Sequence, residues 1–163
     1  MPPFPILLAN RANLTRDRLH GSVHSWLSGR GGVRDVRFAP SKIRRREVHA
    51  DVDPTVAFGV DAETTAARLE VQFEFPPDAA HDYYRIQWVD PDRNYSVGWH
   101  QDDHRDALGE CHLQLDYCEA VVDVRSADFL DAHPLTVLDA RLERLPDVLD
   151  EISWDGDEPR FDG

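Results

Sequence analysis

The sequence predicts a small α+β domain, in which an antiparallel sheet of about five strands is flanked by an N-terminal helix and a C-terminal amphipathic helix. Two observations predict this fold class. Short segments in the middle of the chain alternate apolar and polar residues, as half-buried strands do. Apolar residues recur at helical spacing near the two ends instead. With 163 residues, the chain is long enough to form one domain with a substantial core.

The N-terminal third predicts an arm, a helix and two strands. Residues 1–12 are expected to be extended, and residues 13–152 to form the single domain. Asn13 or Thr15 can cap the first helix and Gly29 ends it. Its apolar stripe consists of Leu14, Leu19, Val23, Trp26 and Leu27. Strands are predicted at residues 33–38 and at the more polar residues 43–52.

The middle of the chain predicts the rest of the sheet. Residues 69–75 show the cleanest alternation, and Pro76-Pro77 closes it. Residues 84–89 and 95–99 alternate on either side of a turn at residues 91–94. Residues 111–116 and 119–125 can pair across a short turn at Tyr117-Cys118. Residues 55–62 favour neither helix nor strand.

The C-terminal part predicts a helical turn at residues 126–132, a second helix and a polar tail at residues 153–163. Pro134 suits the first position of that helix, and Pro146 should kink or restart it. Its amphipathic stripe consists of Leu138, Leu142, Leu145, Leu149 and Ile152.

Charge is divided unevenly along the chain. Residues 1–50 hold ten basic and three acidic residues, a net charge of +7, whereas residues 51–163 carry −20. This asymmetry indicates an anionic partner for the basic half, or attraction between the two halves of the chain. Seventeen of the eighteen basic residues are Arg, and Asp outnumbers Glu. We interpret this acidic composition as typical of a halophilic archaeon.

The chain is predicted to be a cytoplasmic protein. No run of 18 apolar residues predicts a membrane span, and the start lacks the basic segment of a signal peptide. Two cysteines without a secretion signal favour free thiols at Cys111 and Cys118 over a disulfide.

Histidines and carboxylates cluster at a predicted strand end. The segment His100-Gln101-Asp102-Asp103-His104 follows an alternating segment, and His112 lies close behind it. Such groups can act as acid, base or ligand. With Arg85 neutralising a phosphate, they could cleave RNA, whose 2′-hydroxyl is already a nucleophile. The predicted catalytic residues are Arg85, His100, Asp102, His104 and His112; the alternative is a water-facing polar loop.

No metal and no cofactor are predicted for this cluster. Two histidines spaced as His-x3-His share a face on a helix, but His100 ends a strand. The spacing between His104 and His112 also fits no common zinc pattern.

A nucleic-acid surface is predicted in the basic half. Arginines of extended segments can meet phosphates, and one exposed tryptophan could stack on a base. The predicted residues are Arg34, Arg37, Lys42, Arg44, Arg45, Arg46 and Trp99. A solvated strand end would have the same composition as the basic patch.

The central segments resemble a known family. Residues 83–90 (YYRIQWVD), 97–104 (VGWHQDDH), Cys111-His112 and a helix ending in residues 149–152 (LDEI) are similar to TumE-type toxins of prokaryotic toxin–antitoxin pairs. The resemblance spans roughly residues 65–152. It implies a compact α+β domain, a cognate antitoxin encoded nearby as partner, such as a helix-turn-helix protein, and action on RNA.

The sequence therefore favours a toxin-like RNA-acting protein, and a metal-independent ribonuclease in particular. The alternative is a non-enzymatic protein-interaction domain of a halophilic or acid-surfaced prokaryote, in which the histidine cluster has no catalytic role.

Overall fold

Seven antiparallel strands form one sheet in the computed structural model, and their order in the sheet is their order in the chain. The structure describes residues 4–62, 64 and 66–163, with the backbone alone for residues 4–14 and 106. The strands are β1 (Val33–Pro40), β2 (Arg45–Val52), β3 (Arg68–Glu74), β4 (Tyr83–Asp90), β5 (Tyr95–Gln101), β6 (Cys111–Tyr117) and β7 (Ala120–Ser126). The predicted α+β class is confirmed, but the sheet has seven strands and not about five.

Besides a single 3-10 turn at Asp106–Leu108, three α-helices and a hairpin complete the domain. They are α1 (Phe4–Ser28), α2 (Pro54–Phe58), α3 (Pro134–Asp150) and the hairpin of β8 (Ile152–Asp155) and β9 (Glu158–Phe161). Both cysteines are free thiols, with Cys111 buried and Cys118 exposed. In the part of the chain that the structure describes, no helix is long and apolar enough to cross a bilayer.

The first helix is longer than predicted. It begins at Phe4, so the extended arm predicted for residues 1–12 is wrong for residues 4–12, while residues 1–3 lie outside the described range. Pro5 stands in the first helical turn, where its missing N–H costs nothing. The Leu and Ala residues that follow are strong helix formers, so the helix extends past both predicted caps.

The C-terminal predictions need two corrections. Residues 153–163 are not a loose polar tail, because β8 pairs with β9 and Phe161 is buried beneath the Arg125 guanidinium, 4.2 Å from its ring centroid. Residues 127–132 also form no helical turn. Helix α3 runs past Pro146 and ends at Asp150, so Ile152 of the predicted stripe belongs to β8 instead. Leu142, Leu145 and Val148 anchor the helix to the core on both sides of the proline.

The sheet has one apolar and one polar face. On the apolar face, Val71 pairs with Ile86 and Ile86 with Trp99, and all three are buried. Helix α1 places Val23 and Leu27 in the same core, and α3 reaches this face through Arg141, which lies over Trp99. The opposite side, here called the polar face, carries Glu47, His49, Glu70, Gln72, Arg85, Gln87, His100, His112 and Gln114.

A buried histidine joins α1 to the sheet. His20 Nε2 accepts a hydrogen bond from the Phe73 backbone N–H at 3.0 Å, so its Nδ1 carries the proton and donates to the Arg45 carbonyl. Both of these backbone groups lie where the β2–β3 pairing has ended. Burial lowers the pKa of His20, since the charged imidazolium is poorly solvated there.

This histidine should make folding stability depend on pH. The unfolded chain binds the proton more tightly than the folded chain does, so the contribution of His20 is present above its ordinary pKa of about 6.5 and is lost as the pH falls below it. We expect the free energy of unfolding to fall between about pH 7.5 and pH 5.5 in denaturant titrations. His20→Gln should cost about 2 kcal/mol at neutral pH and should show a shallower pH dependence. An unchanged pH dependence in this variant would contradict the assignment.

Candidate active site on the polar face

Three predicted catalytic residues lie side by side across the middle of the polar face. Arg85 of β4 pairs with His100 of β5, and His100 pairs with His112 of β6. Paired residues of antiparallel strands point to the same side, and neighbouring strands lie about 4.8 Å apart. The two imidazole ring centroids are 5.3 Å apart. These three residues are called the central row below.

Each residue of the central row has a buried polar atom without a hydrogen-bond partner among the described residues. These atoms are Arg85 Nε, His100 Nε2 and His112 Nδ1. A buried polar atom without a partner is costly and uncommon in folded proteins. Three of the seven such atoms among the described residues therefore lie at adjacent positions of one sheet face, where a water molecule or a ligand can satisfy them.

A chain of hydrogen bonds fixes the orientation of His112. The Gln114 side-chain N–H donates to Asp116 at 3.0 Å, which turns the Gln114 Oε1 toward His112 Nε2 at 3.3 Å. Because Oε1 can only accept, His112 Nε2 carries the proton in the neutral ring and Nδ1 keeps its lone pair. The His112 side chain is 1% exposed, so the ring cannot turn away into solvent.

His100 is neutral near pH 7. Burial lowers its pKa to about 4, and the neighbouring His112 and Arg85 act in the same direction. An imidazole without a proton on Nε2 can accept one there or coordinate a cation.

Arg85 is held at the side of the row by a carboxylate. Its Nη2 donates to Glu47 Oε1 at 2.8 Å, while Glu47 Oε2 lies 2.7 Å from His49 Nε2. The hydrogen bond from His49 and the charge of Arg85 lower the pKa of Glu47. The guanidinium is therefore oriented by one edge, and its Nε remains without a partner.

Asp102 and His104 lie in the loop that joins β5 to β6. One Asp102 oxygen accepts the His104 backbone N–H at 2.9 Å, and the other lies 3.2 Å from His104 Nδ1. One ligand atom each from His100, Asp102 and His112 can be chosen within 4.8 Å of the others. The His104 ring is 78% exposed, so the structure brings Asp102 to the central row and leaves His104 at its rim.

The six basic residues predicted to bind nucleic acid lie at the β1–β2 edge of the sheet, away from the central row. Arg34 and Arg37 belong to edge strand β1, and Arg37 pairs with Asp51 at 3.2 Å. Arg45 packs over Phe38, with its guanidinium carbon 4.3 Å from the ring centroid. Lys42, Arg44 and Arg46 are exposed, and none forms an ion pair with a described carboxylate.

Trp99 does not form the predicted stacking platform. Its side chain is 4% exposed on the apolar face, with the Arg141 guanidinium 5.3 Å from the ring centroid. Side chains alternate along β5, so His100 points to the polar face and Trp99 points into the core. The Trp99 ring is therefore unavailable to a base. Trp88 is buried as well.

Two residues that orient the site were not identified from the sequence. Gln114 and Asp116 follow His112 at alternate positions of β6 and therefore share its face. This spacing is visible in the sequence, but alternating polar residues are equally typical of any solvated sheet face.

Comparisons of the chain with protein-family profiles, curated proteins and solved structures find no match, so they lend no support to a TumE-type assignment.

Proposed function

We propose that this chain is a toxin-like protein that cleaves RNA on the polar face of its sheet. The observation that carries the proposal is the central row, with one free guanidinium N–H and two free imidazole nitrogens at paired positions of three neighbouring strands. A phosphate needs a donor of this kind, and proton transfer needs the two imidazoles.

The reaction requires no nucleophile from the protein. His100 Nε2 takes the proton of a ribose 2′-hydroxyl, and the 2′-oxygen attacks the adjacent phosphorus. The bond from phosphorus to the 5′-oxygen breaks, and that oxygen leaves with a proton from His112 Nδ1, which yields a 2′,3′-cyclic phosphate. Arg85 Nε donates to a non-bridging oxygen, where negative charge increases in the transition state.

The roles of the two imidazoles follow from their surroundings. Gln114 accepts the Nε2–H of His112, so a proton that His112 gives to the leaving oxygen comes from Nδ1. His100 Nε2 has no described hydrogen-bond partner, so this nitrogen suits the role of accepting the proton of the 2′-hydroxyl.

The proposed cellular role is that of a toxin held inactive by a cognate antitoxin. A toxin that cleaves the RNA of its own cell would arrest growth, so it would require a partner that restrains it. This role is suggested only by the sequence motifs of residues 65–152 that resemble TumE-type toxins, and growth arrest on expression of the chain alone is its cellular readout.

Substitutions in the central row should abolish cleavage while the fold is kept. We expect His112→Gln and Arg85→Gln each to lower cleavage of a random-sequence oligoribonucleotide pool by about 10²-fold or more, and to relieve growth arrest. His104→Gln is the matched control, because its exposed ring lies at the rim and should change the rate by less than about threefold. Gel analysis of product ends checks the cyclic phosphate.

A second control uses the substrate. A deoxyribose pool lacks the 2′-hydroxyl and should stay intact. If His112→Gln and Arg85→Gln cleave as fast as the unmodified chain, or if the unmodified chain cleaves no RNA and arrests no growth, the proposal is wrong.

A further inference from the structure

We propose that His100, Asp102 and His112 form a binding site for a divalent transition-metal ion of the Zn²⁺ class, and that the bound ion blocks RNA cleavage. The metal site stands on its own geometry, whereas the blocking role rests on the proposed function. The spacing of the histidines along the chain did not predict this site, because the pairing of β5 with β6, and not a helix, brings His100 and His112 together.

The three side chains converge from two adjacent strands and the loop between them. One ligand atom from each lies within 4.8 Å of the other two. Ligands at tetrahedral positions about 2.0–2.1 Å from Zn²⁺ stand about 3.3 Å apart. The ligand atoms must therefore move closer together to bind an ion. Rotation of the Asp102 carboxylate and of the half-buried His100 ring can achieve this, because neither residue lies in the apolar core.

An unpartnered nitrogen of a deeply buried side chain points to a ligand at this place. His112 is 1% exposed, its Nδ1 has no described partner, and the Gln114–Asp116 chain keeps the ring proton on Nε2. A lone pair is thereby presented by a ring that is fixed in position. His100 Nε2 is the second such nitrogen.

The residues around the three ligands resemble the outer shell of a metal site. A ligating imidazole in proteins usually donates its other N–H to a carbonyl or carboxylate, as His112 does to the Gln114 amide oxygen. Asp102 is held through both oxygens by His104, yet each oxygen has a further lone pair.

The donor set selects the class of ion. Two imidazole nitrogens favour zinc and its transition-metal neighbours over magnesium or calcium, which prefer all-oxygen sites. Three protein ligands leave one tetrahedral position for water. Of the three ligands only Asp102 is negatively charged, while the nearby Arg85 is paired with Glu47.

Metal binding and RNA cleavage should exclude one another. The ion would use the lone pairs of His100 Nε2 and His112 Nδ1, the atoms that accept and donate protons in the proposed reaction. The metal-bound chain is then an inactive form, and removal of the ion releases the acid and the base together.

Zinc binding tests the site directly, without RNA. We expect chain stripped with chelator to bind one Zn²⁺ in calorimetry, and Co²⁺ to give the visible absorption of a nitrogen- and oxygen-ligated ion. His100→Gln, His112→Gln and Asp102→Asn should each weaken binding by about tenfold or more. His133→Gln is the control and should bind normally, since His133 is exposed at the start of α3 and lies outside the polar face.

Each result bears on one part of the proposal. No zinc bound by the folded unmodified chain, or normal binding by both His100→Gln and His112→Gln, would overturn the site. Melting curves without metal establish that each variant is folded. Stoichiometric zinc should also stop RNA cleavage, and chelator should restore it; binding that leaves cleavage unchanged would overturn the blocking role alone. A chain that never cleaves RNA would refute the proposed function, while calorimetry still decides the metal site.

Discussion

Replacing Gly98 by Ala should destabilise the folded chain by about 3 kcal/mol or more. Gly98 lies at the centre of β5, opposite Gln87 of β4. A Cβ atom placed there would lie 2.2 Å from the Ile86 carbonyl oxygen and 2.4 Å from the Gln87 Cβ. The clashing atoms belong to the β4 backbone or are bonded directly to it, so they cannot move aside as the end of a flexible side chain can. Strands β4 and β5 would therefore have to separate. Denaturant unfolding monitored by tryptophan fluorescence measures the loss.

The same substitution elsewhere separates this clash from a general effect of alanine. Gly31 has no heavy atom within 4 Å of a Cβ built at its position. We expect Gly31→Ala to change the free energy of unfolding by no more than about 0.5 kcal/mol. Equal stabilities of the two variants would show that β4 and β5 lie further apart than described here.

Replacing Arg141 by Ala should cost about 3 kcal/mol. The side chain is 6% exposed and its Nη2 donates to Tyr84 Oη at 2.9 Å, to the Asp128 carbonyl and to Cys111 Sγ. None of the described carboxylates lies within ion-pair distance of it. Alanine would leave a cavity over Trp99 and remove the donor from the Tyr84 hydroxyl and the Asp128 carbonyl. Thermal and denaturant unfolding would report the loss.

A methionine at the same position distinguishes packing from charge. It fills much of the volume and avoids the cost of a buried cation, which an apolar replacement often offsets. We therefore expect Arg141→Met to lose no more than half as much stability as Arg141→Ala. A methionine variant as unstable as the alanine variant would show that the hydrogen bonds, and not the packing, hold α3 on the sheet.

Periodicity predicted the parts of the fold in which one face is buried. The alternation in β3 and β4 and the stripe of α3 are direct consequences of burial, so they can be read from the chain. Edge strands β1 and β7 bury less and alternate less clearly. Both segments were predicted to be extended, but a single sequence does not show how many extended segments join one sheet, so the predicted sheet of about five strands was too small. Arg141 was missed for the opposite reason. A charged residue beside Leu138 and Leu142 predicts a solvated helix face, but the Arg141 side chain is buried.

The candidate site was predicted in its composition and not in its arrangement. The cluster around His100 was visible because histidines and carboxylates concentrate at one strand end. Whether His104 or His112 lies beside His100 depends on the register of β5 against β6, which a single sequence fixes only weakly. Trp99 was misassigned for a related reason, since alternation alone does not say which face of a strand the helices will cover.

The agreement between sheet order and chain order has a consequence for how the molecule assembles. Every strand of the sheet pairs with the strand before it, so each step closes a loop of modest length at small cost in chain entropy. Arg85, His100 and His112 lie on three consecutive strands, and two adjoining hairpins bring them together. The central row can thus form early in folding, before the edge strands and the closing helix are in place.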